Sequence, residues 1–146
     1  MLERILVALD GSEDAAHALD VAADMAQRYG AELVLFHAFA HYALRPDIEL
    51  LVEDSVRDVF RKAGREAAQE ILDQAKALIA PRDLAAVRCI AVEGEPASAI
   101  VDTAGQQQVG LIVMGTRGLG GLRELVLGSV AHKVTVLATC PVMIVK

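Results

Sequence analysis

The residues Gly115-Thr116-Arg117-Gly118, followed after nine positions by Gly128-Ser129, have the types and spacing needed to hold a phosphate. Glycine lets a loop bring its backbone N–H groups close to an anion where a Cβ would obstruct, and Gly115, Gly118, Gly120 and Gly121 offer that freedom here. Gly128 and Ser129 then open an apolar-periodic segment (Val130, Val134, Leu137). Unsatisfied N–H groups and the positive end of a helix dipole would therefore lie beside the loop, with the Ser129 hydroxyl as a further donor. Arg117 and Arg123 fall inside the loop and are placed to face bound phosphate. Other phosphate motifs fit less well. Gly118-Leu119-Gly120-Gly121-Leu122-Arg123 begins like a dinucleotide fingerprint, but arginine takes the third glycine position and the motif follows the fourth strand pattern rather than the first. A Walker A loop needs a lysine beside its final Ser or Thr, where this chain has Gly128. Ser129 or Thr116 would be the acceptor in a slow hydrolase or phosphotransferase, yet neither has a base recognisable from spacing, and no Ser-His-Asp arrangement or carboxylate pair stands out. Binding is better supported than turnover.

The elements that must position this loop are short and regular. Strand patterns occur at Arg4 to Leu9, Glu32 to Phe39, Ala86 to Val92, Val109 to Met114 and Val142 to Val145, each rich in Val, Ile or Leu. Helical patterns fall between them. The first has Ala15, Leu19, Ala22, Ala26 and Tyr29 on one face, Ser12 as N-cap, Glu13 and Asp14 in the first turn and Gly30 as its stop. The second is expected from about Val52 to Ile79, with Val56, Val59, Ala63 and Ala67 inward, an Asp58 to Lys62 ion pair and Pro81 beyond its end. The third begins at Pro96, suited to a first turn, and runs to about Gln107. Strands alternating with helices predict an α/β fold, a parallel sheet with helices on both faces. Ligands of such sheets bind beyond the carboxyl ends of the strands, where strand order reverses. If the first and fourth strands are neighbours, the crevice lies between Asp10-Gly11 and Gly115.

With 146 residues, 54% of them hydrophobic, the chain can build one domain with a real core and is too short for two ordinary ones, so residues 1–146 read as a single domain. The net charge of −6 argues against a nucleic-acid partner. That charge is uneven: from Gly115 onward Arg117, Arg123, Lys133 and Lys146 face only Glu124, a net +3 that leaves −9 on the preceding part. The glycine loop is thus a cationic island on an acidic chain. No apolar run approaches the roughly 18 residues needed to span a bilayer. Cys89 and Cys140 are isolated, which favours buried structural roles in a reduced, cytosolic protein. His37 and His41 lie near each other, but nothing completes a metal ligand set. Phe36, Phe39 and Tyr42 gather at the end of the second strand; at least one phenylalanine is core, while Phe39 or Tyr42 could cover a base. Asp10 could serve only as a turn residue bonded to backbone N–H groups, or could accept hydrogen bonds from a ligand. The last strand is apolar on both faces (Val142, Met143, Ile144, Val145), and an unpaired edge of this kind invites a second copy.

Taken together, the G-x2-G-x9-G-S pattern, the opening ILVALDGSEDAAHAL, LVLFHAF, VEGEPASAIVDTA and the ending CPVMIVK resemble the universal stress protein family in order and over nearly the whole chain. The stretch from about Ala40 to Ala85 is the least anchored part. The resemblance implies a five-stranded open parallel sheet of order 3-2-1-4-5, of the adenine nucleotide alpha hydrolase type. It implies binding of ATP, or of AMP or ADP, with magnesium able to accompany the phosphates, and a role in stress response as a sensor or protective factor. By this similarity Ala8, Asp10 and the backbone of Ala38 would line the adenosine pocket, while Met114, Gly115, Arg117, Gly118, Gly128, Ser129 and Val130 would hold ribose and phosphates. Ala8 stands where some members have proline. The resemblance also implies a homodimer through the C-terminal strand; the alternatives are a dimeric interaction module that leaves the nucleotide site unused, and a very slow nucleotide hydrolase.

Overall fold

Each short aliphatic run forms a strand and each periodic segment between them a helix, in a computed structural model that describes residues 2–39, 51–116 and 127–146. The order is β1 (Arg4–Ala8), α1 (Glu13–Tyr29), β2 (Glu32–Phe39), α2 (Asp54–Ile79), β3 (Ala86–Glu93), α3 (Pro96–Gln106), β4 (Leu111–Gly115), α4 (Ser129–Leu137) and β5 (Val142–Val145). The strands make one sheet, β3-β2-β1-β4-β5, parallel at every pairing. β1 and β4 are neighbours, with Ile5, Leu6 and Val7 opposite Leu111, Ile112 and Val113.

Side chains alternate across a strand, so the same aliphatic runs supply two cores. Ile5, Val7, Leu33, Leu35 and Val113 face α1 and α2, while Leu6, Val34, Phe36, Ile112 and Met114 face α3 and α4. The inner face of α1 is mostly alanine (Ala15, Ala18, Ala22, Ala23, Ala26), which brings the helix close over β1 and β4. Ser12 caps it by accepting from the Ala15 N–H at 3.2 Å, and Gly30 ends it in the left-handed conformation (φ 64°). Tyr29, expected inward, is exposed at the last turn of α1.

α2 departs from expectation in its buried face. Ala68, Leu72, Ala75 and Ile79 are buried, whereas Val56 and Val59, expected inward, are exposed, as are Ala63 and Ala67. A helix of 26 residues is roughly 39 Å long and the eight-residue strand beneath it roughly 26 Å, so about a third of it must overhang. Its carboxyl half docks: truncating Leu72, 1% exposed, would cost about 2–5 kcal/mol. Asp58 pairs with Arg61 and Lys62 with Glu66, rather than with each other. Gly64 sits over the Phe39 ring, where a Cβ would lie 3.1 Å from Cδ2. Phe39 is therefore buried beneath α2; Tyr42 and His41 lie outside the described residues. Cys89 is exposed on the edge strand β3 and Cys140 half-buried, against the expectation that both are core. Among the described residues no helix is long and apolar enough to cross a membrane.

The amino ends of the strands are tied by a polar network. Glu32 accepts from Arg4 and Arg88, each at 2.9 Å, and those arginines reach the backbone carbonyl and side-chain oxygen of Gln107. The hydrogen bond from Arg4 holds the Glu32 carboxyl below its ordinary value, with Arg88 adding to the effect against the opposing pull of burial.

Candidate functional site

At the carboxyl ends of the strands the backbone is pinned first at β1. The Leu9 N–H donates to the Phe36 carbonyl at 2.8 Å, and His37 Nδ1 lies 2.6 Å from the Leu9 carbonyl, so that nitrogen carries the proton and donates. Asp10 follows. Its Oδ1 accepts from the Ser12 N–H at 2.9 Å, forming an Asx turn, and Gly11 takes a left-handed φ of 83° that carries the chain into α1. The turn occupies one carboxylate oxygen of a half-buried side chain at the mouth of the crevice. Ala8 and Ala38, both half-buried, end or nearly end β1 and β2 at the same side of the sheet.

Facing this loop is the end of β4, where Met114 is buried and Gly115 abuts the first turn of α1. A Cβ on Gly115 would stand 2.7 Å from Asp14 Cβ and 2.9 Å from the Asp14 carbonyl carbon. The glycine is thus required by helix packing, a reason independent of any anion. Thr116 comes next and holds three elements together. Its hydroxyl donates to Asp14 Oδ2 at 2.6 Å, its N–H donates to the Val145 carbonyl at 3.1 Å, and its carbonyl accepts the Gly128 N–H at 2.8 Å. The last bond closes the root of the glycine segment, since residues 116 and 128 flank it. Arg117, Gly118, Gly120, Gly121 and Arg123 lie outside the described residues.

From that root α4 starts at Ser129 with Gly128 as N-cap, so no cap side chain takes up the first-turn N–H groups. Ser129 is exposed and Val130 half-buried; Ala131 and Val134 anchor the helix, while Leu137 is exposed. The positive end of α4 therefore stands at the carboxyl end of β4, the strand next to β1 and its Asp10 turn, an arrangement suited to an anion. Lys133, one of the four basic residues of this part of the chain, turns instead to Glu95 at 3.7 Å. Glu95 caps α3 by accepting from the Ala97 and Ser98 N–H groups, and the Ser98 backbone bond leads the causes that lower its carboxyl below the usual value. Sequence reading brought together Asp10, Gly115, Gly128 and Ser129 but missed Asp14, His37 and the bridging role of Thr116. Asp14 and Thr116 are 102 positions apart, and nothing local marks them as partners. Their contact also supplies the Thr116 hydroxyl with the carboxylate neighbour that spacing did not reveal. Among the described residues no group of three His, Cys, Asp or Glu could hold a metal ion.

Comparison with known proteins gives the site its context. The model of the universal stress protein family matches residues 1–146. The universal stress protein YxiE of Bacillus subtilis is 38% identical over 149 aligned positions, covering the whole of both chains. Among solved structures, universal stress protein UspA from Lactobacillus plantarum superposes with a TM-score of 0.87 at 26% identity, over 99% of this chain and 98% of that one. The universal stress protein from Archaeoglobus fulgidus, solved in complex with dAMP, superposes with a TM-score of 0.71 at 26% identity over 100% of each chain.

Proposed function

The chain belongs to the universal stress protein family, and from that premise we propose that it binds an adenine nucleotide, ATP or alternatively AMP or ADP, in the crevice between β1 and β4. The observation that carries this is the Gly128 N–H to Thr116 carbonyl bond, which sets the uncapped start of α4 beside the Asp10 turn at adjacent strand ends. Strand order reverses there, since β1 leads outward to β2 and β3 on one side and to β4 and β5 on the other. Ala8, Asp10 and the Ala38 backbone take the adenosine part; Met114, Gly115, Gly128, Ser129 and Val130, with Arg117 and Gly118, take ribose and phosphates. A relative solved with dAMP supports an adenine ligand. Magnesium would travel with the phosphates and neutralise their charge, and the exposed Ser129 hydroxyl is the side chain that would assist in holding it.

The protein holds nucleotide rather than turning it over, and it acts in stress response as a nucleotide-dependent sensor or protective factor in the cytoplasm. It works as a homodimer through β5, the sheet edge opposite β3, next to which Val136 and Leu137 of α4 are exposed. Mass spectrometry of nucleotide released from freshly purified, denatured protein, together with calorimetric titration of stripped protein with ATP, tests the binding role. An adenine nucleotide in the released fraction, or saturable heat with ATP, is expected; neither from protein with a native circular dichroism spectrum would leave the interaction-module role in its place.

A further inference from the structure

We propose that Thr116 and Asp14 form a clamp that positions the start of α4 for its nucleotide, resting on the nucleotide-binding role above. All three polar groups of Thr116 are engaged, and with three different elements: the hydroxyl with Asp14 on α1, the N–H with Val145 on β5 and the carbonyl with Gly128 at the start of α4. The carbonyl bond fixes where the N-terminus of α4 stands relative to β4. Its direction is set by the rotation of the Thr116 peptide, and the side chain on the same residue is held by a charge-assisted bond of 2.6 Å. The bond is possible because Gly115 lacks a Cβ, which admits the first turn of α1 against β4. The clamp thus locks the Asp10 side of the crevice to the phosphate side. A carboxylate here is unfavourable to an anion by charge alone, so its effect on affinity has opposite signs under the two roles it could play. As a mere charge Asp14 weakens binding. As a positioning residue it strengthens binding.

Calorimetric titration of the stripped full chain with ATP, for wild type, Thr116→Val, Thr116→Ser, Asp14→Ala and the double variant Thr116→Val with Asp14→Ala, reads this sign. Thr116→Val keeps the shape and removes the hydroxyl, and it is expected to weaken ATP binding roughly tenfold, as is Asp14→Ala. Thr116→Ser restores wild-type affinity, and the double variant is no weaker than Asp14→Ala alone, because loss of the carboxylate already removes the Thr116 bond along with Asp14's other interaction. Equal affinity in Thr116→Val, tighter binding in Asp14→Ala, failure of serine to restore, or a phosphorylated Thr116 in the mass of wild type after incubation with ATP would each overturn the clamp. Should Asp14→Ala lose its native circular dichroism spectrum, the valine and serine pair at position 116 decides alone. Wild type that takes up no ATP, ADP or AMP removes the nucleotide role itself, and the clamp with it; that result appears before any variant is measured.

Discussion

The two ends of the parallel sheet are built from opposite materials. At the amino ends Glu32, Arg4, Arg88 and Gln107 satisfy one another across three strands and α3. At the carboxyl ends, among the described residues, the chain uses glycine, a helix start without a side-chain cap and the Thr116–Asp14 bond, so the first-turn donors of α4 are not taken by a cap side chain. Both ends rest on the same two cores, so the difference is not one of burial but of whether polar groups have internal partners. An end whose donors are already satisfied has little to offer a ligand. An end with preorganised, unspent donors is one that a phosphate can complete.

Changes at the two ends should therefore separate binding from stability. The largest effect is expected from Gly118→Val or Gly128→Val, each losing more than about 100-fold in ATP affinity with an intact fold, because a side chain would obstruct backbone approach to the phosphates. Unchanged ATP affinity in both variants, measured by calorimetry alongside a native circular dichroism spectrum, would remove this loop as the phosphate site. Gly115→Ala comes next and acts on both properties. Its Cβ would meet Asp14 Cβ at 2.7 Å, so a destabilisation of about 1–3 kcal/mol is expected in denaturant titration, together with weaker nucleotide binding. Wild-type stability in that variant would mean that α1 shifts freely against β4, and the carboxyl end would be looser than described.

Much of this architecture was legible in the chain, and the misses share a cause. Ser12 and Gly30 bound α1 through bonds made within a few residues, and the strand runs announce themselves by composition, so these features are local. The neighbourhood of β1 and β4 was reached through the family resemblance rather than through periodicity. The inward face of α2 was misjudged because Val56 and Val59 have sound helical spacing, while burial depends on how far the helix outruns its strand. Cys89 was expected inside because of its residue type, but β3 is an edge strand and the residue is exposed. At the site, Gly128 and Ser129 could be placed at a helix start from pattern alone. The hydroxyl of Thr116 and the carboxylate of Asp14 meet only once β4 lies beside β1, and a single sequence carries no sign of that pair.

A smaller effect is expected at the amino ends, and on stability alone. Glu32→Gln removes the charge that both arginines share, at a cost of about 1 kcal/mol, kept low because Arg4 is 34% and Arg88 50% exposed to screening water. The folded-state carboxyl of Glu32 is held below its unfolded value, so its contribution is fully present above the unfolded carboxylate range and is lost as pH falls through the folded value. Wild type should thus lose its advantage over Glu32→Gln on acidification below about pH 4, the ordinary glutamate range. ATP affinity near neutral pH should be the same in both. A Glu32→Gln protein that binds ATP more weakly would show that the two ends are coupled through the sheet.

The finest distinction concerns Asp10, which belongs to the open end yet already has an internal partner in the Ser12 N–H. An asparagine can make the same turn through its side-chain carbonyl, so Asp10→Asn should change stability by no more than about 0.5 kcal/mol. The substitution alters what the side chain offers a ligand, because a carboxylate accepts at both oxygens, whereas the amide exchanges one acceptor for a donor. If Asp10 also receives hydrogen bonds from the adenosine part, ATP should bind about threefold or more weakly while the melting transition stays in place. Titration of Asp10→Asn beside wild type, with melting curves on the same samples, separates the two roles. Equal affinity would reduce Asp10 to the turn that its bond to Ser12 already explains, and the open end would then recognise its ligand through backbone donors and the residues around Gly128 alone.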